Sequence, residues 1–152
     1  MWFVNDVLPM VLLILGILLA IVMSGIGSAK GAAMIGRAAA ALISEQPEKF
    51  GQSLVLQMMS ASQGLYGFII GFLIFMNIGG DLTLWNSIKF LGAGAIMGFA
   101  GFFTAIEQSV AATAGIQILA KKPEHSTKGV LYSAMIETYA IFAFVISVLI
   151  VI

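Results

Sequence analysis

Cysteine is absent from this 152-residue sequence, and histidine occurs once, at His125. Disulfide frameworks, thiol catalysis and iron–sulfur centres are excluded. Charge is also scarce. Charged residues make up 9% of the chain, and seven basic side chains balance seven acidic ones. No basic patch is available for nucleic acid. What is abundant is apolar: hydrophobic residues reach 61%, against about 45–50% in ordinary soluble domains. A small domain is mostly surface and has no interior large enough for that much apolar area. A soluble enzyme and a disordered chain are therefore both excluded, and the composition predicts a protein that lives in lipid.

The few charges delimit the spans. Residues 7–29 and 50–80 carry none, 90–120 carry only Glu107, and 129–152 only Glu137. A spanning helix needs about 20 mostly apolar residues, so four transmembrane helices are expected. Breakers separate them at Ser44–Phe50, Asn77–Asn86 and Lys121–Lys128, which combine Pro, Gly-Gly-Asp and charge. The all-α fold is thus two helical hairpins. The first segment, 7–43, is longer than a bilayer needs at about 55 Å, so its Arg37 end is expected to project into water. The third is expected to behave alike and to end near Lys122.

Shifted by 76 residues, the chain lies over itself. Gly25 meets Gly101, Ala38 meets Ala114, Pro47 meets Pro123, Glu48 meets Glu124 and Met59 meets Met135. The match runs through both Pro-containing loops without a gap. The expected division is a first hairpin at 1–76 and a second at 77–152. The first segment has Asp6 and no basic flank, and it matches the third. It is therefore expected to belong to the mature protein and not to a cleaved leader. Polar groups break the repeat: Glu137 falls on Ala61, Gln63 on Tyr139 and Gln108 on Ala32.

Measured from the loop prolines, these groups share a depth. Glu137 lies 14 residues past Pro123, Gln108 15 before it, and Gln63 16 past Pro47, all about 21–24 Å along a helix. Met59, Ser62, Gln63 and Tyr66 follow helical spacing and share one face. A carboxylate inside a membrane is costly and usually functional; the structural alternative is a protonated Glu137 that only ties helices together. Gln63 alone would serve as interhelical glue. One carboxylate with neutral oxygens from Gln63, Gln108 and Ser62 forms a dehydrated shell suited to a hard monovalent cation. Tyr66 is placed either to hold Glu137 by a hydrogen bond or to pack as a core aromatic.

Other conspicuous residues have plainer readings. His125 is expected to be solvated in its charged loop. Lys30 is expected to pair with Glu107 or lipid phosphate, or to snorkel. Glu107 is about 100° round the helix from Gln108 and reads as a structural or lipid-facing group. Residues 24–31 (SGIGSAKG) lack the Gly-Lys-Ser/Thr ending and preceding strand of a phosphate loop. Gly25, Gly27 and Gly31, with Gly92, Gly94, Gly98 and Gly101 in the third segment, are expected to serve close helix packing.

The segments QGLYGF (63–68), AGIQILAKKPEH (114–125) and IETYA (136–140) are specific enough to identify. Across nearly its whole length the chain resembles the K, or c, proteolipids of bacterial V-type rotary ATPases, especially the sodium-translocating kind. The resemblance implies a membrane ring of identical subunits, with the first and third helices inside and the second and fourth outside. It implies Na+ bound by Glu137, Gln63, Gln108, Ser62 and the Met59 backbone carbonyl, with Tyr66 bonded to Glu137 and H+ as the alternative ion. It implies a stator protein that bears an Arg, and a central stalk at the cytoplasmic loops; separate soluble subunits hydrolyse ATP. Three departures stand out: Ser62 where Thr is familiar, Ser60-Ala61 where Pro-Gly is familiar, and Glu107 where a small residue is familiar. Two rival readings are a small multidrug-type proton-coupled antiporter and a passive channel-forming proteolipid. The duplicated hairpin and the Gln-rich shell favour the rotor.

Orientation follows from basic residues. Arg37, Lys49, Lys121, Lys122 and Lys128 flank the Pro loops, and Lys89 stands alone at the opposite end. The positive-inside rule puts both Pro loops in the cytoplasm and both termini outside a bacterial cell membrane. Single cysteines at Gln46 and Asp81 test this with an impermeant thiol reagent on intact cells. Labelling at 81 with protection at 46 is expected; the reverse pattern overturns the orientation.

Overall fold

The computed structural model describes residues 7–80 and 82–152. Four helices, each long and apolar enough to cross a membrane, account for nearly all of it: α1 at Leu8–Glu45, α2 at Pro47–Phe75, α3 at Leu84–Lys121 and α4 at Pro123–Val151. The expected helices thus form, and the breakers are shorter than the sequence suggests. α1 continues through Ser44 and Glu45, and only Gln46 separates it from α2. At the third breaker only Lys122 is non-helical. Both residues precede a proline and are driven from helical ψ by the steric demand of its ring. Their conformations nearly coincide, φ −135°, ψ 71° for Gln46 and φ −145°, ψ 77° for Lys122. The second breaker is also shorter, because α3 already begins at Leu84. Thr83 caps it, its Oγ1 accepting from the Asn86 N–H at 3.2 Å. The turn before it uses Gly79 at φ +94°, a left-handed conformation natural to glycine.

Two long helices are locally irregular. Residues Leu19–Met23 of α1 form a π turn. There the Leu19 carbonyl lies against Gly98 of α3, and the Ala20 carbonyl accepts from the Ser24 hydroxyl. In α2, Met59–Ala61 tighten into a 3-10 turn. This turn sits at the Ser60-Ala61 departure, so the local tightening is present without a proline.

α3 is the common partner of the other helices, packing along α1 and α4 and also touching α2. The α1–α3 contact is made at backbone distance. A Cβ on Gly27 would stand 2.6 Å from Phe102 Cα, and one on Gly94 would meet the backbone of Gly16. Gly98 is crowded in the same way by the Leu19 backbone, while Gly31 and Gly101 are crowded first by the side chains of Ser109 and Ser24. Gly25 and Gly92 differ from expectation, since each has open space where its Cβ would be and serves no close contact within the chain. At the end nearer the Pro loops, Ile35, Ala39, Leu42 and Leu56 of the first hairpin bury against Ala112, Ile116 and Leu119 of the second. A second core cluster, including Leu13, Ile70, Ile74 and Met97, fills the opposite end. Outward faces of α2 and α4 stay apolar and exposed, with Phe68, Phe72, Phe142 and Leu149 among them. Such faces need lipid or another protein against them.

The glycine contact yields a test. Gly27→Leu inserts a side chain where α3 backbone already stands and is expected to separate α1 from α3 and abolish assembly in detergent. Normal assembly of this variant on native gels contradicts close α1–α3 packing.

Candidate ion-binding site

Halfway along the bundle, α2, α3 and α4 each contribute a polar side chain from an otherwise apolar stretch. Gln63 and Gln108 are fully buried. Their amides meet directly, Gln63 Nε2 donating to Gln108 Oε1 across the α2–α3 contact. The Ser62 hydroxyl lies 3.3 Å from both Gln63 Oε1 and the Met59 carbonyl oxygen. It has one proton and donates to one of them at a time. The 3-10 turn at Met59–Ala61 brings that carbonyl and hydroxyl together. On the neighbouring face, the Tyr66 hydroxyl donates to Glu137 Oε1 at 2.7 Å, joining α2 to α4. The Tyr66 ring also leans on Phe144 of α4, with centroids 5.0 Å apart.

The three groups singled out by depth and Tyr66 therefore form two separate hydrogen-bonded pairs on three helices. Gln63 and Gln108 form one and Tyr66 and Glu137 the other, with α2 common to both. Glu137 is half-buried, and among the described residues Tyr66 is its hydrogen-bond partner. Gln108 Nε2 is buried without an acceptor, although buried donors are ordinarily paired. The backbone around the pair is held independently: the Ser133 hydroxyl of α4 donates to the Gln108 carbonyl at 3.1 Å, and the Gly64 N–H donates to Ser28 Oγ of α1 at 2.8 Å. No trio of His, Cys, Asp or Glu side chains gathers among the described residues, so the chemistry on offer is one carboxylate among neutral oxygens.

Two expectations need correction. Lys30 does not pair with Glu107; its ammonium sits 5.7 Å from the centroid of the Phe102 ring, within cation–π reach. Glu107 is exposed on α3, whereas the adjacent Gln108 is buried. His125 is not simply solvated but half-buried at the edge of a groove. Lys49 was not foreseen as a structural group. Expected only to mark topology, it is buried, and its ammonium donates to the carbonyls of Leu119 and Ala120 at 2.9 and 3.0 Å. The signal was available. Pro123 has no N–H for the Leu119 carbonyl four residues back, so that acceptor requires another donor.

The profile of the family described as the C subunit of ATP synthase matches twice, over residues 15–74 and 91–150, two equal stretches related by the same shift as the internal repeat. The V-type sodium ATPase subunit K of Enterococcus hirae is 57% identical over 93% of this chain and 91% of its own length. The A-type ATP synthase subunit K of Methanocaldococcus jannaschii is 35% identical over 93% of this chain, which spans 62% of that protein. The 16 kDa proteolipid of the human V-type proton ATPase is 25% identical over 90% of this chain and 88% of its own length.

The buried amide pair gives a prediction that does not depend on what it binds. Replacing either Gln63 or Gln108 with Leu strands the other amide, so the two substitutions should be less than additive. A double-mutant cycle on denaturation in detergent should return a coupling of about 1 kcal/mol. A coupling of zero would mean the two amides do not interact.

Proposed function

Because the chain belongs to the family of ATP synthase C subunits, we propose that each copy carries one sodium ion at Glu137, with Gln63, Gln108, Ser62 and the Met59 carbonyl as further ligands and Tyr66 positioning the carboxylate. The chain is a membrane protein, a rotor-ring subunit of a rotary ATPase, and not itself the catalyst of ATP hydrolysis. The observation that carries the sodium reading is the meeting of two fully buried glutamines one helix away from a tyrosine-held carboxylate. A proton needs only a carboxyl group whose charged form is disfavoured by burial. Sodium must have its water shell replaced oxygen by oxygen, and this site supplies more oxygen than a proton requires. The unpartnered Gln108 N–H and the single hydrogen bond to Glu137 fit a site that rearranges when loaded.

Charge drives the cycle. Glu137 with a bound monovalent cation is neutral overall and passes the lipid face of the rotor at low cost. At the stator, an Arg side chain attracts the bare carboxylate and loosens the ion. The ion leaves through a half-channel while the next copy loads. A central stalk at the Pro loops couples this rotation to ATP hydrolysis elsewhere. The setting is a bacterial cell membrane with both termini outside.

Dicyclohexylcarbodiimide reacts with protonated carboxyls, so bound sodium should protect Glu137 from it. Gln108→Leu is expected to weaken that protection, and Glu137→Gln to abolish both labelling and transport. Equal labelling rates with and without sodium across the working pH range would make this a proton site and the glutamines helix-binding groups only.

A further inference from the structure

The buried Lys49 contact has a counterpart that the single chain leaves open. Lys49 and His125 are repeat equivalents, as are Leu119 and Ile43, and Ala120 and Ser44. Pro123 leaves the Leu119 carbonyl without its helical donor, and Lys49 of the first hairpin supplies one. Pro47 does the same to the Ile43 carbonyl. Among the described residues no hydrogen bond reaches it. His125, the group that should supply one, lies in the second hairpin, on the wall of a groove lined by that hairpin's own residues.

The surroundings follow the same pattern. Within the chain, Ala38, Leu42 and Leu56 are covered by Ala112, Ile116 and Leu119. Their equivalents in the second hairpin, Ala114, Ile118 and Tyr132, are uncovered and line a groove of about 540 Å³ with His125 on its wall. The equivalents of the covering residues are Gly36, Ala40 and Ile43 on α1, and Ala40 is exposed. Lys121, Lys122 and Lys128 also border the groove. They give it a positive potential suited to a helix C-terminus, whose free carbonyls carry partial negative charge. The α1 C-terminus also carries Glu45.

We propose that this groove receives the C-terminal end of α1 from the next copy of the chain, and that the His125 imidazole N–H donates to that copy's Ile43 or Ser44 carbonyl, repeating between subunits the bond Lys49 makes within one. A histidine is shorter than a lysine and reaches one carbonyl where Lys49 reaches two. The boundary between copies is therefore fastened by a weaker donor than the boundary between hairpins. The inference rests on ring assembly but not on the identity of the transported ion.

The native chain has no cysteine, so paired cysteines give a clean test in assembled rings. His125→Cys with Ser44→Cys, treated with a short bifunctional thiol reagent, should give a ladder of covalent oligomers. Lys49→Cys with Ala120→Cys calibrates reach, because it places the same pair within one chain and should give only internally linked monomer. Internal linking in the calibrating pair with no ladder from the test pair, in rings intact on native gels, overturns the proposal. Failure of all variants and wild type to form rings would instead contradict the assembly itself. Heating intact rings supplies the energetic readout. His125→Ala should release monomer at lower temperature than wild type, and His125→Lys should restore or exceed wild-type stability. An unchanged dissociation temperature for His125→Ala contradicts the bond.

Discussion

A carboxylate set in the middle of an apolar helix is the constraint on which the rest of this structure depends. Hydrocarbon offers Glu137 neither water nor counter-charge, so the bundle has to provide compensation. It does so from α2, which presents Tyr66 to Glu137 and Gln63 to Gln108 from adjacent faces. α4 can then face outward along much of its length, because the one charged group in residues 129–152 is held from the side. A single carboxylate among neutral side chains also fits the proposed role: loaded with a monovalent cation it would carry no net charge, and emptied it would respond strongly to a fixed positive group.

Holding those side chains to the same depth requires a rigid scaffold, and the α1–α3 contact supplies it. Gly27 against Phe102 and Gly94 against Gly16 bring the two backbones together without intervening side chains. In lipid, where apolar surface gains nothing by leaving solvent, such close van der Waals packing is a main source of helix association. The loop prolines add a second constraint. Each ends a long helix, α1 or α3, and leaves a carbonyl without its donor, and buried acceptors in that condition need partners. Lys49 answers one of them within the chain, and His125 is placed to answer the other across the boundary between copies.

Much of this was legible in the sequence because a membrane protein has few polar residues to interpret. Four spans followed from where charge is missing, and the duplication from an ungapped shift that aligns Pro47 with Pro123. The depth argument placed Gln63, Gln108 and Glu137 at one level using only helical rise. It did not foresee that Gln63 bonds to Gln108 while Glu137 bonds to Tyr66, because rise fixes height along a helix but not the direction of a side chain relative to its neighbours. The 3-10 turn at Met59–Ala61 and the π turn at Leu19–Met23 were also invisible, since neither has a proline or other local marker. Gly25 and Gly92 were grouped with the packing glycines because composition does not distinguish a face turned to the neighbouring helix from one turned away. Lys49 was missed for a different reason. Its partners lie 70 and 71 residues away in sequence, and only the missing N–H of Pro123 pointed to them.

The most direct test of the ion-carrying account is to image the purified ring in sodium at a resolution that separates individual ligands. The account predicts one density per copy beside Glu137, in contact with oxygens of Gln63, Gln108 and Ser62 and the Met59 carbonyl, and its loss when sodium is replaced by a large organic cation. A ring with no density there in either buffer, and with Glu137 bonded only to Tyr66, would contradict it.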